Sequence, residues 1–199
     1  MQIEDRDYLH AAAHLRQEAD RLLQHTALLT LLAGYGTVHL TGSYCYDLMT
    51  WRDIDLCVAT NDLSTPAMFE LGRAMAALPH VGSMYYRNEL VMQTKGNPLA
   101  VFWCVDFYLP DAIDWKVDIL LASPEEVQRV LTPGQELMSR ITPAAREAIL
   151  RIKGELGGRP GYRREFGSRA VYRAVIEDQV ATLEEWEDWW ARYKAANRR

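Results

Sequence analysis

The chain has 199 residues, of which 49% are hydrophobic and 25% charged, and its formal net charge at pH 7 is −5. This composition is typical of a globular protein with a sizeable core, and the negative charge argues against broad binding to DNA or RNA, which depends on positive surface. The apolar stretches are far shorter than a bilayer span, and the first seven residues are unlike a signal peptide. We therefore expect no membrane association and a cytoplasmic location.

The predicted elements of the first half are a helix from about residue 6 to 32, a strand over 37–40, a short helix over 44–50, a strand over 53–59 and a helix over 66–78. Thr65 is the predicted N-cap of the last of these helices, with Pro66 in its first turn.

Strand character dominates between residues 81 and 121, in the segments 84–86, 90–92, 100–109 and 117–121. Helices follow, because Ser123 and Thr182 both open capping-box patterns and Thr142-Pro143 opens another helix. The glycine-rich segment 154–161 is the clearest linker. The predicted fold class is α/β (α+β), a mixed sheet flanked by helices, with a core over 1–122 and a C-terminal helical region over 123–199.

Three cysteines, Cys45, Cys57 and Cys104, have no Cys-x-x-Cys spacing and are odd in number. Neither a disulfide framework nor a zinc site is therefore predicted, and we expect reduced and mostly buried thiols.

The most informative motif is Gly42-Ser43, followed after nine residues by Asp53-Ile54-Asp55-Leu56. Side chains alternate between the faces of a strand, so Asp53 and Asp55 point the same way while Ile54 and Leu56 point into a core. Two carboxylates this close repel each other unless a cation neutralises them, and Mg²⁺ prefers carboxylate oxygens and substrate phosphate. The motif predicts metal-assisted chemistry on phosphate, whereas a P-loop is excluded because its glycine-lysine run is missing.

The run from Val38 to Ser43, the Asp-Ile-Asp-Leu motif and a later Asp118 in Trp115-Lys116-Val117-Asp118 together resemble the signature of the DNA polymerase β-like nucleotidyltransferase superfamily. The resemblance covers about the first 120 residues, and within the superfamily the chain looks like a group of small bacterial proteins.

The resemblance implies that Asp53 and Asp55 hold two Mg²⁺ or Mn²⁺ ions that bind a nucleoside triphosphate (NTP). Asp118 would join one metal and help to activate an acceptor hydroxyl, while Gly42 and Ser43 would approach the β- and γ-phosphates. A nucleoside monophosphate would be transferred and pyrophosphate released. The acceptor stays open between a small molecule, an RNA end and a protein.

Two other functions compete with this one. The fold can serve as a noncatalytic or antitoxin-like binding module, which predicts a protein partner and no NTP turnover. Alternatively, Asp-x-Asp is the motif with which a sugar-nucleotide glycosyltransferase binds metal and diphosphate. Such enzymes normally have a longer nucleotide-binding half before the motif than the 52 residues that precede Asp53 here.

Several cations are candidate triphosphate ligands. Lys116 lies two residues before Asp118 and so shares its face, where it contacts phosphate or keeps Asp118 ionised; the alternative is a salt bridge with Asp114 or Asp106. The segment 146–173 has eight basic and three acidic residues, and Lys153 and Arg173 are chosen from it. Such a segment could bind triphosphate, an RNA backbone or a phosphorylated acceptor. Its alternative is a solvated helix face with ion pairs to the acidic body.

An aromatic stripe at helical spacing is formed by Trp186, Trp189, Trp190 and Tyr193. Such a stripe is predicted to pack on the protein body. A ligand platform and a homodimer contact remain open.

Overall fold

The computed structural model describes residues 7–110, 113–159, 161, 162 and 165–197. The helices are α1 (Tyr8–His25), α2 (Leu28–Ala33), α3 (Gly42–Cys45), α4 (Thr65–Ala76), α5 (Glu89–Met92), α6 (Pro124–Met138), α7 (Pro143–Leu156), α8 (Ser168–Asp178) and α9 (Leu183–Ala196). The strands are β1 (Thr37–Thr41), β2 (Asp53–Ala59), β3 (Val81–Asn88), β4 (Val101–Leu109) and β5 (Ile113–Ala122).

The strands that the structure describes form a five-stranded mixed sheet in the order β1-β2-β5-β4-β3. β2 and β5 pair in parallel, and the other neighbours pair antiparallel. Helices flank this sheet, so the predicted mixed α/β fold class is confirmed. β2 and β5 meet near the middle of the sheet although α4, β3, α5 and β4 separate them along the chain.

The two faces of the sheet are covered differently. On one face, buried residues of α1, α2 and α4, such as Leu22, Leu32 and Leu71, pack against Ile54 and Val117 of the central strands. On the other face a smaller apolar cluster is covered by α6, which contributes Val127 and Leu131. Since α6 belongs to this cluster, the sheet buries apolar side chains on both sides, as a layered α/β fold requires.

The described chain forms two compact units. One is Leu15–Gly134, which contains the sheet; the other combines the residues up to His14 with those from Gln135 onward. The second unit has its own buried apolar side chains, among them Ile149, Val171 and Trp186. The boundary predicted at 122/123 lies ahead of α6 and stays a prediction.

Two predicted elements are wrong. The single helix over 6–32 is two helices: α1 ends at His25, and the hydroxyl of Thr26 donates to the carbonyl of Leu22 (2.8 Å) just before α2 begins. The segment 90–92 is not a strand but part of the helical turn α5, whose N-cap Asn88 accepts from the Leu90 amide at 3.0 Å. In both places a local side-chain hydrogen bond to the backbone competes with the regular pattern.

Helix ends also differ in detail from the prediction. Ser64, not Thr65, is the N-cap of α4, with Pro66 in the first turn as expected. Gly154 lies inside α7, so the predicted linker begins only after Leu156, and part of it falls outside the described residues. The capping box of Thr182 is confirmed at the start of α9. Among the described residues, no helix has the length and apolar character that a bilayer crossing needs.

A buried glutamate organises the loop after α5. The carboxylate of Glu89 is 1% exposed, and it accepts hydrogen bonds from the Thr94 amide (2.9 Å), the Asn97 side chain (2.7 Å) and Arg87. Burial alone raises the pKa of Glu89, but these hydrogen bonds outweigh it and lower the pKa to about 2. Glu89 is therefore ionised at neutral pH and ties this loop to the end of β3.

Candidate functional site

The predicted carboxylates lie on adjacent strands. In the parallel pair of β2 and β5, Asp55 stands opposite Asp118 and Asp53 stands opposite Lys116. Strand alternation turns these four side chains to one face, since the intervening Ile54 and Val117 are fully buried in the core of the other face. The structure thus brings Asp53, Asp55 and Asp118 together, as the motif predicts.

The same face of the sheet is apolar farther along the strands. Cys57, Leu120, Ala100 and Ala122 form the cluster that α6 covers. The carboxylates precede this cluster on β2 and β5, where the Asp118 side chain is 38% exposed and that of Asp53 is 14% exposed. The result is a polar area of sheet beside an apolar one, accessible to a ligand and backed by a rigid core.

Lys116 lies between two of the carboxylates. Its Nζ is 3.3 Å from Asp53 Oδ1 and donates a hydrogen bond to Asp118 Oδ2. Partial burial alone lowers the pKa of Lys116, but the hydrogen bond to Asp118 and the charge of Asp53 raise it overall. Asp106, one of the partners considered from the sequence, instead accepts from the hydroxyl of Ser83.

The Gly42-Ser43 turn approaches the site through Asp55. β1 ends at Thr41, which stands opposite Asp55, and α3 starts at the next residue. Gly42 has a φ of +65°, and a Cβ placed on it would lie 2.0 Å from Asp55 Oδ2. Glycine is required here both for the left-handed backbone and for the close approach of the carboxylate. The next residue, Ser43, is buried.

A cluster that sequence reasoning missed holds α3 against α1. The Tyr44 hydroxyl donates to Asp20 Oδ1 at 2.7 Å, and Arg16 Nη1 donates to the Tyr44 carbonyl at 2.7 Å. The Arg16 guanidinium also lies 3.9 Å from the Tyr44 ring centroid. Burial and the hydrogen bond to Asp20 raise the pKa of Tyr44. The spacing of Arg16 and Asp20 resembles any helix-surface ion pair, so the sequence carries no signal for this role.

Cys104 is a further side chain on the site face, opposite Asp118 in the pair of β4 and β5. Burial, together with the negative charge of Asp118, raises the pKa of its thiol to about 12. At neutral pH the Cys104 thiol is therefore protonated in these surroundings.

The other two predicted phosphate ligands lie in the second unit. Lys153 is fully buried there and donates to the hydroxyl of Tyr172 at 3.1 Å. Arg173 pairs with Glu177 at 2.5 Å and lies 5.9 Å from the Tyr193 ring centroid. These contacts are all inside that unit, and a role in binding triphosphate stays a prediction.

Two further arginines of the basic segment form ion pairs with glutamates. Arg151 pairs with Glu147 at 3.2 Å, and Arg159 pairs with Glu187. Arg163 and Arg164 lie outside the described residues.

The aromatic stripe of α9 packs inside the second unit. Trp186 is 1% exposed, its ring lies 5.8 Å from that of Trp190, and Phe166 contacts both. These rings line a cavity of about 290 Å³ in which Lys194 also takes part, paired with Glu165 at 3.5 Å. The burial of Trp186 is therefore explained by packing on the protein body, as the stripe predicts.

The donor chemistry of the site fits a hard cation, because Asp53, Asp55 and Asp118 offer only carboxylate oxygens on one face. Their present arrangement is not that of a closed metal centre. Among the described residues no three His, Cys, Asp or Glu side chains are placed to share one ion. Lys116 provides the positive charge between Asp53 and Asp118.

Comparison with known proteins finds a similarity to a solved structure, but none to a family model or to a curated protein. A solved structure of a cytoplasmic RNA terminal U-transferase is similar with a TM-score of 0.45 and 12% identity, over 86% of this chain and 48% of that chain. This chain therefore spans about half the length of that structure.

Proposed function

We propose that this chain is a nucleotidyltransferase that depends on a divalent metal, transfers a nucleoside monophosphate from an NTP to an acceptor hydroxyl and releases pyrophosphate. The observation that carries the proposal is the register of β2 and β5, which sets Asp55 against Asp118 with Asp53 on the same face. Three carboxylates on one face of the sheet offer the oxygen donors that divalent cations prefer, and through such cations phosphate oxygens could be bound.

The Gly42-Ser43 turn supports the phosphate part of the proposal. Its glycine lies against the Asp55 carboxylate with no side chain between them. A phosphate group at Asp55 would therefore be within reach of the backbone of this turn. Lys116 supplies a positive charge on the same face, which is suited to triphosphate oxygens.

Each residue has a separate task in the proposed reaction. Asp53, Asp55 and Asp118 would hold Mg²⁺ or Mn²⁺, which stabilises charge on the entering and leaving oxygens at phosphorus. Asp118, whose side chain is 38% exposed against 14% for Asp53, would accept the acceptor hydroxyl's proton on a carboxylate oxygen. The acceptor oxygen then forms a bond to the α-phosphorus, while the bond from that phosphorus to the bridging oxygen breaks and pyrophosphate leaves.

The test is the release of pyrophosphate and the transfer of label from each α-labelled NTP, with small-molecule, RNA and protein acceptors offered separately. We expect turnover with Mg²⁺ or Mn²⁺ for the wild type, and a fall of at least about 100-fold for Asp53→Asn and Asp118→Asn. Asp188→Asn, an exposed change in the second unit, is the matched control and should retain the wild-type rate. Equal rates in all four proteins would refute the assigned carboxylates.

The contact of Lys116 with Asp53 and Asp118 favours a second candidate, a noncatalytic binding module. An internal ion pair leaves a carboxylate site stable without any metal. This candidate predicts no turnover of any NTP by folded protein and a protein partner bound in a fixed ratio. The same labelling experiment separates the two candidates.

A further inference from the structure

The second unit contains a cavity with aromatic walls. Its volume is about 290 Å³, close to the lower end of the roughly 300–1,000 Å³ that small-molecule sites occupy. The end of α7, described residues of the segment 159–166 and one side of α9 line it. These elements all belong to the second unit, so the cavity is formed without the sheet.

The walls of the cavity are flat and apolar. The rings of Trp186 and Trp190 are nearly parallel, with 10° between their planes, and Phe166 meets both edge-on at centroid distances of 5.5 and 5.4 Å. Leu156 and Trp186, each 1% exposed, form the buried part of the lining. Because the rings pack on one another, the walls are in place before any ligand binds, and a planar aromatic ring is the shape that packs best on them.

Trp190 brings an unsatisfied hydrogen-bond donor to this lining. Its Nε1 is buried and has no hydrogen-bond partner among the described residues, whereas Nε1 of Trp189, one residue earlier on α9, donates to Asp178 at 2.8 Å. The indoles of Trp103 and Trp115 also have no partner in the described chain, but neither lines the cavity. A buried N–H without an acceptor is costly, and a ligand with an acceptor atom would remove this cost.

The charged side chains of the lining are paired with one another. Arg159 pairs with Glu187, and Lys194 pairs with Glu165 at 3.5 Å. These four are the charges that the described residues bring to the cavity. A charged ligand would have to compete with an ion pair that is already formed, so the lining favours an uncharged ligand over an anion.

We propose that this cavity is a binding site for a small, planar and uncharged heteroaromatic molecule, whose ring packs on the aromatic walls and whose acceptor atom receives the hydrogen bond of the Trp190 N–H. A hydrocarbon ring of the same size would fill the same space but leave this donor unsatisfied. The acceptor atom is therefore what the site selects. The site lies wholly in the second unit and is independent of the proposed reaction at the carboxylates.

The test uses the full chain labelled with nitrogen-15, whose six tryptophans each give an indole N–H signal in an NMR correlation spectrum. Two probes are titrated at equal concentrations below the solubility of naphthalene: quinoline, which is uncharged at neutral pH, and naphthalene, which has the same shape without the acceptor nitrogen. We expect quinoline to shift the assigned Trp190 signal saturably. It should bind about 3- to 10-fold more tightly than naphthalene, the ratio that one neutral hydrogen bond supports.

Four variants locate the binding. Trp190→Phe keeps a ring and removes the donor, so it should bind both probes equally, whereas Trp189→Phe removes an indole N–H outside the lining and should keep the preference. Ala191→Leu fills the cavity from an exposed position of α9 and should weaken both probes at least about 10-fold, even if Trp190→Phe does not fold. Ala195→Leu, exposed one turn later and outside the lining, should bind both probes as the wild type does.

A Trp190 signal that quinoline does not shift would overturn the proposal, as would equal affinities of the two probes for the wild type. A preference for quinoline that persists in Trp190→Phe would remove the role of the N–H, and unchanged binding in Ala191→Leu would place the probes outside the cavity; each refutes the proposal. The proposed transferase activity is tested separately, because this experiment needs neither NTP nor metal.

Discussion

Gly42 and Asp55 are in close contact, and this contact joins the turn to the carboxylates. The backbone at Gly42 is left-handed, and the Asp55 carboxylate lies where a Cβ would be. The Gly-Ser motif predicts a tight turn near phosphate, but not that its glycine touches the second aspartate. That contact depends on the pairing of β1 with β2, which places Thr41 opposite Asp55.

Gly42→Ala should destabilise the protein by more than about 2 kcal/mol, since a left-handed backbone costs about 1–2 kcal/mol for alanine and the overlap with Asp55 adds to it. Urea denaturation measures the change. Gly96→Ala is the matched control, because Gly96 has a φ of +89° and no atom within 4 Å of its Cβ position. The stability lost in Gly96→Ala reports backbone strain alone. Equal losses of unfolding free energy in the two variants would therefore contradict the role of the contact with Asp55.

The stability of the protein should depend on pH through Glu89, because hydrogen bonds within its loop lower the pKa of this carboxyl group. The folded pKa of about 2 lies below the value of about 4.3 for an unfolded chain, so the group stabilises the fold above about pH 4.3. This stability is lost as the pH falls from there toward 2. The melting temperature of Glu89→Gln should therefore be below that of the wild type at pH 7, and the gap should narrow below pH 4.

The control for this pH series is Glu136→Gln, a change at an exposed glutamate of α6. It should follow the wild type at every pH. A gap for Glu89→Gln that is constant from pH 7 to pH 3 would mean that the substitution acts through packing and not through charge.

At the scale of elements, the four-residue helix α3 depends on α1 for its position. Tyr44 and Asp20 are 24 residues apart, and Arg16 is 28 residues from the carbonyl that it binds. A helix this short has almost no stability of its own. The hydrogen bonds to Tyr44 therefore orient the turn that carries Gly42 and Ser43.

Tyr44→Phe should lower the free energy of unfolding by about 1 kcal/mol through loss of the hydroxyl's hydrogen bond. Asp20→Ala removes the same bond from the other side. The double variant should lose less than the sum of the two single losses, by about 0.5–1 kcal/mol. Tyr85→Phe, at a residue that is 62% exposed, should change little. Additive losses for Tyr44 and Asp20 would show that the two residues act independently.

Elements with a clear period are predictable from the sequence, and elements decided by single side chains are not. β2 has the predicted bounds because polar and apolar residues alternate strictly from Asp53 to Leu56, and the strand half-buries the former and buries the latter. The apolar residues 90–92 suggest a strand, yet Val91 is 78% exposed and the turn is stabilised by Asn88 and by the buried Glu89. Such capping depends on where the neighbouring loop returns, which local sequence does not contain.

The partner of Lys116 is likewise beyond sequence reasoning. Spacing predicts that Lys116 shares a face with Asp118 and Asp114, and this holds on any regular strand. The contact with Asp53 requires the register between β2 and β5, which is a property of the assembled sheet. The carboxylate set is thus predictable from the motif, whereas the cation inside it is not.

At the scale of the whole molecule, cation binding should appear as stability. A divalent ion that binds only the folded protein stabilises it by about 2.7 kcal/mol at 100 times its dissociation constant, or about 5–10 °C in Tm for a chain of this size. Mg²⁺ or Mn²⁺ should therefore raise the Tm of the wild type and of Asp188→Asn, followed by circular dichroism. Asp118→Asn should lose most of this shift, and an undiminished shift would place the ion elsewhere.

The parallel pairing of β2 with β5 also affects how the protein folds. Asp53 and Lys116 are 63 residues apart in the chain, and closing a loop of that length costs about 4 kcal/mol of entropy before the pairing is rewarded. Hairpin contacts between β3, β4 and β5 are more local, so they can form earlier. The carboxylates meet only when β2 joins this partly built sheet. The moment at which a cation binds during refolding would therefore report when β2 pairs with β5.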